Sequence, residues 1–187
     1  PVVFFESQRI YDIVEMFHEV GVPESSYEIP LGLPDIKRVG SDVTILTIGA
    51  TLYHAIKAAD ILKERYGISA EVIDARSIVP FDYEPVIASV KKTGRIVLAS
   101  DAVERGSILN DIARNINDFC FDSLDGPAVV IGARNWITPP YEFDHEFFPQ
   151  AEWIVDQIND RILPLEGHIS TTSNSDVERL RRAKKGV

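Results

Sequence analysis

Between Asp42 and Pro80 the apolar residues change period twice, and this constrains the fold more than any other feature of the chain. Val43 to Ile48 is a short β-rich apolar run. Leu52, Ala55, Ile56, Ala59 and Leu62 then recur at helical spacing, and Ala70 to Ile73 turns extended again. A strand, a helix and a strand in this order predict a parallel pair, because parallel strands need a crossover of a dozen or more residues. Gly67 falls just past the helical run, where a left-handed stop costs glycine least.

The alternation continues downstream. Asp82 is expected to cap a helix that tolerates Pro85 in its first turn and buries Val86, Ile87 and Val90 before Gly94. Arg95 to Ala99 reads as a strand. Ser107 is expected to cap a helix with Ile108, Ile112, Ile116 and Phe119 facing inward, and Ala128 to Ile131 returns as a strand. A last helix carries Ile154, Val155, Ile158 and Ile162 and closes near Pro164. Ile36 to Val39 adds an edge strand. The fold class is therefore α/β, a three-layer α/β/α domain over residues 40–163, with a mostly parallel five-stranded sheet and an antiparallel edge strand.

Outside that domain the pattern loosens. Pro1 to Glu6 is a strand-like apolar run that needs a sheet to pair with, and it is expected to be the end of an upstream domain. Pro23, Pro30 and Pro34, interleaved with Gly21, Gly32 and Gly40, read as a linker, so residues 1–39 are assigned to the upstream end plus linker. Ile10, Val14 and Phe17 suit one or two helical turns. Residues 164–187 read as a polar and basic tail, either solvated or an arm that docks on a neighbouring subunit.

Charge and composition narrow the partners. Nineteen Lys and Arg stand against 29 Asp and Glu, and the net charge of −10 disfavours nucleic acid and favours a basic partner. No apolar run reaches the roughly 18 to 20 residues that span a bilayer, so no membrane role is expected and the location is read as cytoplasmic. The single cysteine, Cys120, excludes an intrachain disulfide and reads as a small core residue.

In open α/β sheets, ligands and partners meet the loops beyond the carboxyl ends of the strands. Here these are Gly49 to Thr51, Ala75 to Asp82, Ser100 to Ser107 and Gly132 to Pro140. None carries a GxGxxG fingerprint, a P-loop or a GxSxG elbow. His18, His54, His145 and His168 are scattered without metal-ligand spacing, and His54 lies off the apolar stripe of its helix. Asp101 and Glu104, with Arg105 near enough in sequence to hold a carboxylate ionised, suit either a general base or a charged interface loop. Without an identifiable nucleophile the interface reading is preferred. Asp74 and Arg76 end a strand and are expected to fix the loop that follows.

Several stretches together resemble the transketolase carboxyl-terminal domain: Pro1-Val-Val-Phe-Phe-Glu6, Tyr27-Glu-Ile-Pro-Leu-Gly32, Gly40-Ser-Asp-Val-Thr44, Ala70-Glu-Val-Ile-Asp-Ala-Arg76 with Pro80-Phe-Asp82, and Lys92-Thr-Gly-Arg-Ile-Val97. The likeness is strongest to the beta subunit of thiamine-diphosphate-dependent 2-oxo acid dehydrogenases, the pyruvate and branched-chain decarboxylating components, and runs from Pro1 to about Pro164. It implies that thiamine diphosphate and magnesium belong to the full-length enzyme and sit in upstream domains. No catalytic, cofactor-binding or metal residue is expected in this fragment, which alone would be inactive. It also implies homodimer or alpha/beta heterotetramer contacts and docking of the subunit-binding domain of the acyltransferase component.

The sequence departs from that pattern at two loops. Family members often carry His-Glu-Ala-Pro followed by Thr-Gly-Gly, where this chain has Ser100-Asp101-Ala102-Val103 and then Arg105-Gly106-Ser107. An Asp-Thr-Pro-x-Pro segment appears as Asn135-Trp136-Ile137-Thr138-Pro139-Pro140, and Asp144 stands where the family has glutamate. Asp101, Glu104, Arg105 and Asp144 are the candidate interface residues. Another thiamine enzyme with the same terminal domain, of transketolase or deoxyxylulose phosphate synthase type, and a purely assembly module are the alternatives.

Overall fold

The computed structural model describes residue 3, residues 7–14 and residues 24–172. The expected strand of Pro1 to Glu6, apart from Val3, lies outside the described residues, as do Phe17 and residues 173–187.

Five strands form one sheet in the order β1-β3-β2-β4-β5. They are β1 (Asp35–Arg38), β2 (Val43–Ile48), β3 (Ala70–Asp74), β4 (Ile96–Val103) and β5 (Val129–Ala133). β1 runs antiparallel to β3, with Asp35 opposite Asp74, and the other neighbours are parallel. The helices are α1 (Thr51–Tyr66), α2 (Glu84–Thr93), α3 (Ile108–Cys120), the single turn α4 (Asp144–Phe147) and α5 (Ala151–Arg161).

The period of two along each strand divides the apolar residues between two layers. Val43, Ile45, Val72, Val97 and Ile131 pack against Ala55, Leu62, Ile154 and Ile158 of α1 and α5. Leu46, Ile73, Leu98 and Val130 face Val86, Val90, Leu109 and Ile116 of α2 and α3. Thr44, a polar residue that alternation sends toward α2, is satisfied there: its hydroxyl lies 2.7 Å from Ser89 Oγ and 2.8 Å from Thr93 Oγ1.

The expected helix stops are present. Gly67 and Gly94 take left-handed backbone at φ 68° and 69°, closing α1 and α2. The N-cap of α2 is Tyr83 and not Asp82, which stands one residue earlier and accepts from Glu84 N–H at 3.0 Å through Oδ1. Ser107 stands at the N-cap of α3, but its side chain makes no capping bond to the helix amides. Asn110 Nδ2 lies 3.4 Å from its hydroxyl instead.

Three details differ from the sequence reading. α3 buries Leu109, Ile112, Ala113, Ile116 and Cys120, whereas Ile108 and Phe119 are exposed. The apolar face is centred one position later than the isoleucine spacing suggests, and Phe119 meets the edge of Tyr83 at 5.3 Å. β4 starts after Arg95 and runs to Val103, and β5 extends to Ala133. The extra length is paired, since Val103 sits opposite Ala133.

After α5 the chain turns back along that helix. Leu165 is buried and its N–H donates to Asn159 Oδ1 at 2.8 Å. Asp156, 2% exposed, then collects this segment: Oδ1 lies 2.6 Å from His168 Nε2, and Oδ2 accepts from Thr171 N–H, Thr172 N–H and the Thr172 hydroxyl at 2.9, 2.7 and 2.6 Å. His168 Nδ1 in turn lies 2.6 Å from the Tyr66 hydroxyl at the end of α1. Arg134, stacked 3.6 Å over the Trp153 ring, donates to Thr172 C=O.

Candidate functional site

Parallel β2, β3, β4 and β5 end on one rim, and the four candidate residues lie on it or just beyond. Asp101 is on β4 itself rather than on a loop. Its half-buried carboxylate accepts from the Thr51 hydroxyl at 2.9 Å, which ties the end of β4 to the first turn of α1. Glu104 follows β4; its N–H donates to Ala133 C=O at 3.3 Å, and its carbonyl accepts from Asn110 Nδ2 at 2.6 Å. Arg105 is exposed in the turn that ends with Gly106 at φ 71°. Asp144 opens α4, and its carbonyl accepts from Phe148 N–H at 2.9 Å.

These residues share a rim without converging on one point. Asp144 lines a depression of about 840 Å³ with His54, Glu142, His145 and Gln150. Glu104 lines another of about 370 Å³ with Asn110 and Arg114 of α3. Such a spread of charges matches a contact surface better than a catalytic constellation, which requires groups within hydrogen-bond reach of one reacting atom.

Two features of the rim were missed by sequence reading. Thr51 fixes Asp101 across 50 residues of sequence, which no local pattern announces. Beyond β5 the rim is also apolar: Trp136, Ile137, Tyr141 and Phe143 are exposed, Ile137 to 94% and Tyr141 to 84%. The unusual run of large side chains from Trp136 to Phe148 was the available signal. A group of large apolar residues left in water beside charged ones is the composition of a protein contact.

Asp74 and Arg76 fix their loop as expected. Asp74 Oδ1 accepts from Arg76 N–H at 3.1 Å, Arg76 holds left-handed backbone at φ 55°, and its guanidinium pairs with Asp35 on the neighbouring strand. Lys37 reaches the same Asp35 carboxylate at 2.7 Å. Burial pushes the Asp35 carboxyl up, but Lys37 and Arg76 more than offset this and hold it below its ordinary range. Asp74 is raised by its burial, which the Arg76 N–H and the two cations oppose only in part.

At the opposite end of β3 lies Glu71, 2% exposed at its side chain. Burial alone would raise it; the ammonium of Lys92, Ser89 and the Gly40 N–H at 3.2 Å together bring it below its ordinary value. Gly40 is required there, because a Cβ on it would stand 2.2 Å from the Ala70 carbonyl carbon. Cys120 is buried in the α2/α3 layer, and burial raises its thiol.

Among the described residues, His, Cys, Asp and Glu form no group of three or more placed to hold a metal ion. No helix among them is long and apolar enough to cross a membrane.

A mostly parallel sheet with one reversed edge strand, layered between α1/α5 and α2/α3 with a charged and apolar rim, is a three-layer α/β/α domain. The family model for the transketolase C-terminal domain matches residues 33–154, and the chain belongs to that family. It is 37% identical over 156 residues to the pyruvate dehydrogenase E1 component subunit beta of Bacillus subtilis, covering 83% of this chain and 46% of that one. Against the 2-oxoisovalerate dehydrogenase subunit beta of the same organism it is 36% identical, covering 75% and 42%. Against its acetoin:2,6-dichlorophenolindophenol oxidoreductase subunit beta it is 42% identical, covering 83% and 44%. The chain thus spans less than half the length of these relatives. Among solved structures it is similar to a split-gene transketolase described as an inactive beta4 tetramer, at 25% identity and a TM-score of 0.61, over 80% of this chain and 46% of that one.

Proposed function

We propose that this chain is the carboxyl-terminal part of the beta subunit, or beta-like half, of a 2-oxo acid dehydrogenase decarboxylating component. The observation that carries this reading is its 37% and 36% identity to the beta subunits of a pyruvate and a 2-oxoisovalerate dehydrogenase, beside 42% to that of an acetoin:2,6-dichlorophenolindophenol oxidoreductase. In the whole enzyme, thiamine diphosphate and magnesium held by upstream domains would supply the decarboxylation chemistry. Residues 1–39 would be the end of the upstream domain and its linker, whose last residues join the terminal domain's sheet as β1, residues 40–163 the rest of that domain, and residues 164–187 its tail. The fragment by itself is inactive.

Its own work is assembly. The exposed Trp136, Ile137, Tyr141 and Phe143 supply apolar contact area for homodimer or alpha/beta heterotetramer packing. Asp101, Glu104, Arg105 and Asp144 supply a mainly acidic fringe, and the net charge of −10 favours a basic partner such as the subunit-binding domain of the acyltransferase component. A terminal domain of a transketolase-type enzyme is the second reading, favoured by the split-gene transketolase likeness.

The test is the full-length natural protein assayed for thiamine-dependent decarboxylation of pyruvate and branched-chain 2-oxo acids, with lipoyl acylation as the readout. Turnover of one of these acids supports the reading. Transfer of two-carbon units between sugar phosphates, with no decarboxylation of any 2-oxo acid, replaces it with the second.

A further inference from the structure

Tyr66, His168 and Asp156 form a relay that joins the end of α1, the segment after α5 and α5 itself. Tyr66 Oη lies 2.6 Å from His168 Nδ1, and His168 Nε2 lies 2.6 Å from Asp156 Oδ1. Asp156 fixes where the hydrogens sit. Its Oδ2 already accepts from Thr171 N–H, Thr172 N–H and the Thr172 hydroxyl, so the group is engaged as an acceptor, and Oδ1 takes the hydrogen on His168 Nε2. A singly protonated ring then presents a lone pair at Nδ1, and the Tyr66 hydroxyl is the donor. Hydroxyl, imidazole and carboxylate in this order allow a ring nitrogen to take the hydroxyl proton while the oxygen attacks, with the carboxylate steadying the ring.

The relay opens on a depression of about 330 Å³. Tyr66 and His168 line it together with Ile61, Arg65, Glu152 and Thr171. Tyr66 is only partly buried, and the volume suits a small molecule. Arg65, next to Tyr66 on α1, supplies a cation for an anionic group held there, whereas Glu152 on the α5 side disfavours a ligand of high negative charge.

We propose that Tyr66 is a nucleophilic phenol that accepts a phosphoryl group from a small donor of low charge seated in this depression. Tyr66 Oη forms a bond to phosphorus as the bond from phosphorus to the donor's leaving group breaks. The leaving group departs with that electron pair, and the phenol proton passes to His168 Nδ1. Asp156 holds the imidazolium so formed, and Arg65 offsets the charge that develops on the phosphoryl oxygens. A phosphorylated Tyr66 has no hydrogen left to give His168, so the modification acts on the segment that the same ring fastens to α5.

An alkyl fluorophosphonate, a phosphoryl donor whose leaving group is fluoride, tests this on the full chain, with adducts located and timed by mass spectrometry. Tyr66 is expected to react about tenfold faster than Tyr27 and Tyr141, although these are 60% and 84% exposed. His168→Asn keeps an oxygen acceptor for the phenol and removes the base, and it should slow labelling of Tyr66 about tenfold to a hundredfold. Tyr27 and Tyr141 should keep their rates, and amide exchange along α1 and α5 should show both helices still folded. Arg65→Gln, which leaves the relay in place, should slow Tyr66 about threefold to tenfold. Labelling in the order of exposure, no adduct on Tyr66, or an unchanged Tyr66 rate in either variant would overturn the assignment.

Discussion

The carboxylate of Asp156 and the imidazole of His168 stand 2.6 Å apart on elements twelve residues distant, with side chains only 3% and 14% exposed. Because the second oxygen of Asp156 takes three more donors from Thr171 and Thr172, one side chain holds the whole segment from His168 to Thr172 on α5. Removing one partner of a buried charged network strands the others, so Asp156→Ala is expected to cost about 2 to 4 kcal/mol. Urea unfolding measures the loss, and amide exchange should show its onset at residues 168–172.

Glu71 gives stability an acid dependence of known sign. Its folded carboxyl lies below the ordinary 4.5, so its contribution is complete above that value and disappears as pH falls through the lower folded value. Unfolding free energies measured across this acid range should lose part of their slope in Glu71→Gln. Lys92→Met should be the more damaging change at neutral pH, since it leaves the buried carboxylate without its cation.

Asp74 has the opposite sign. Burial raises its folded carboxyl above the ordinary 3.8, so it favours the fold in acid, and that contribution is lost as pH rises through the raised value. Asp74→Asn retains an oxygen for the Arg76 N–H and removes the buried charge. At neutral pH the variant should match or exceed the parent in stability by up to about 1 kcal/mol, and the gain should shrink on acidification.

Gly132 holds the rim together. A Cβ there would stand 2.5 Å from Glu104 N and 2.6 Å from Ala102 O, both on the far end of β4 or just past it. Gly132→Ala should therefore separate β4 from β5 near Asp101 and Glu104, at a cost of about 1 to 3 kcal/mol. Gly126→Ala, whose Cβ meets nothing within 4 Å, is the matched control, and thermal unfolding of the pair measures the difference.

The proposed docking predicts that, in the full-length protein, Glu104→Lys and Asp144→Lys weaken a complex with a basic partner domain about fivefold to tenfold, chiefly at low salt. Titration calorimetry at two ionic strengths checks both affinity and salt slope. Asp101→Asn should change binding less, because it removes one charge instead of reversing it and keeps an oxygen for the Thr51 hydroxyl.

The layering was readable in the sequence because alternation and helical period carry it: Val43 to Ile48, the stripe from Leu52 to Leu62, and the glycine stops at Gly67 and Gly94 all appear where local chemistry puts them. The phase of α3 was not. Ile108 and Phe119 are as apolar as Leu109, and only packing against Tyr83 and β4 decides which faces inward. The rim was half legible, since its charged residues stand out by type, whereas the Thr51 to Asp101 bond and the anchoring of Thr172 by Asp156 join distant segments by geometry alone.

The reversed direction of β1 decides from which side the preceding chain arrives. Asp35, its first residue, sits opposite Asp74, the last of β3, and just before it Gly32 is bonded to Ser77 and Asp82. The chain at Gly32 therefore borders the same rim as the candidate interface residues, and not the far end of the sheet. Whatever sits on that rim has the chain entering β1 as its neighbour, so a contact made there also bears on how the reversed edge strand is held.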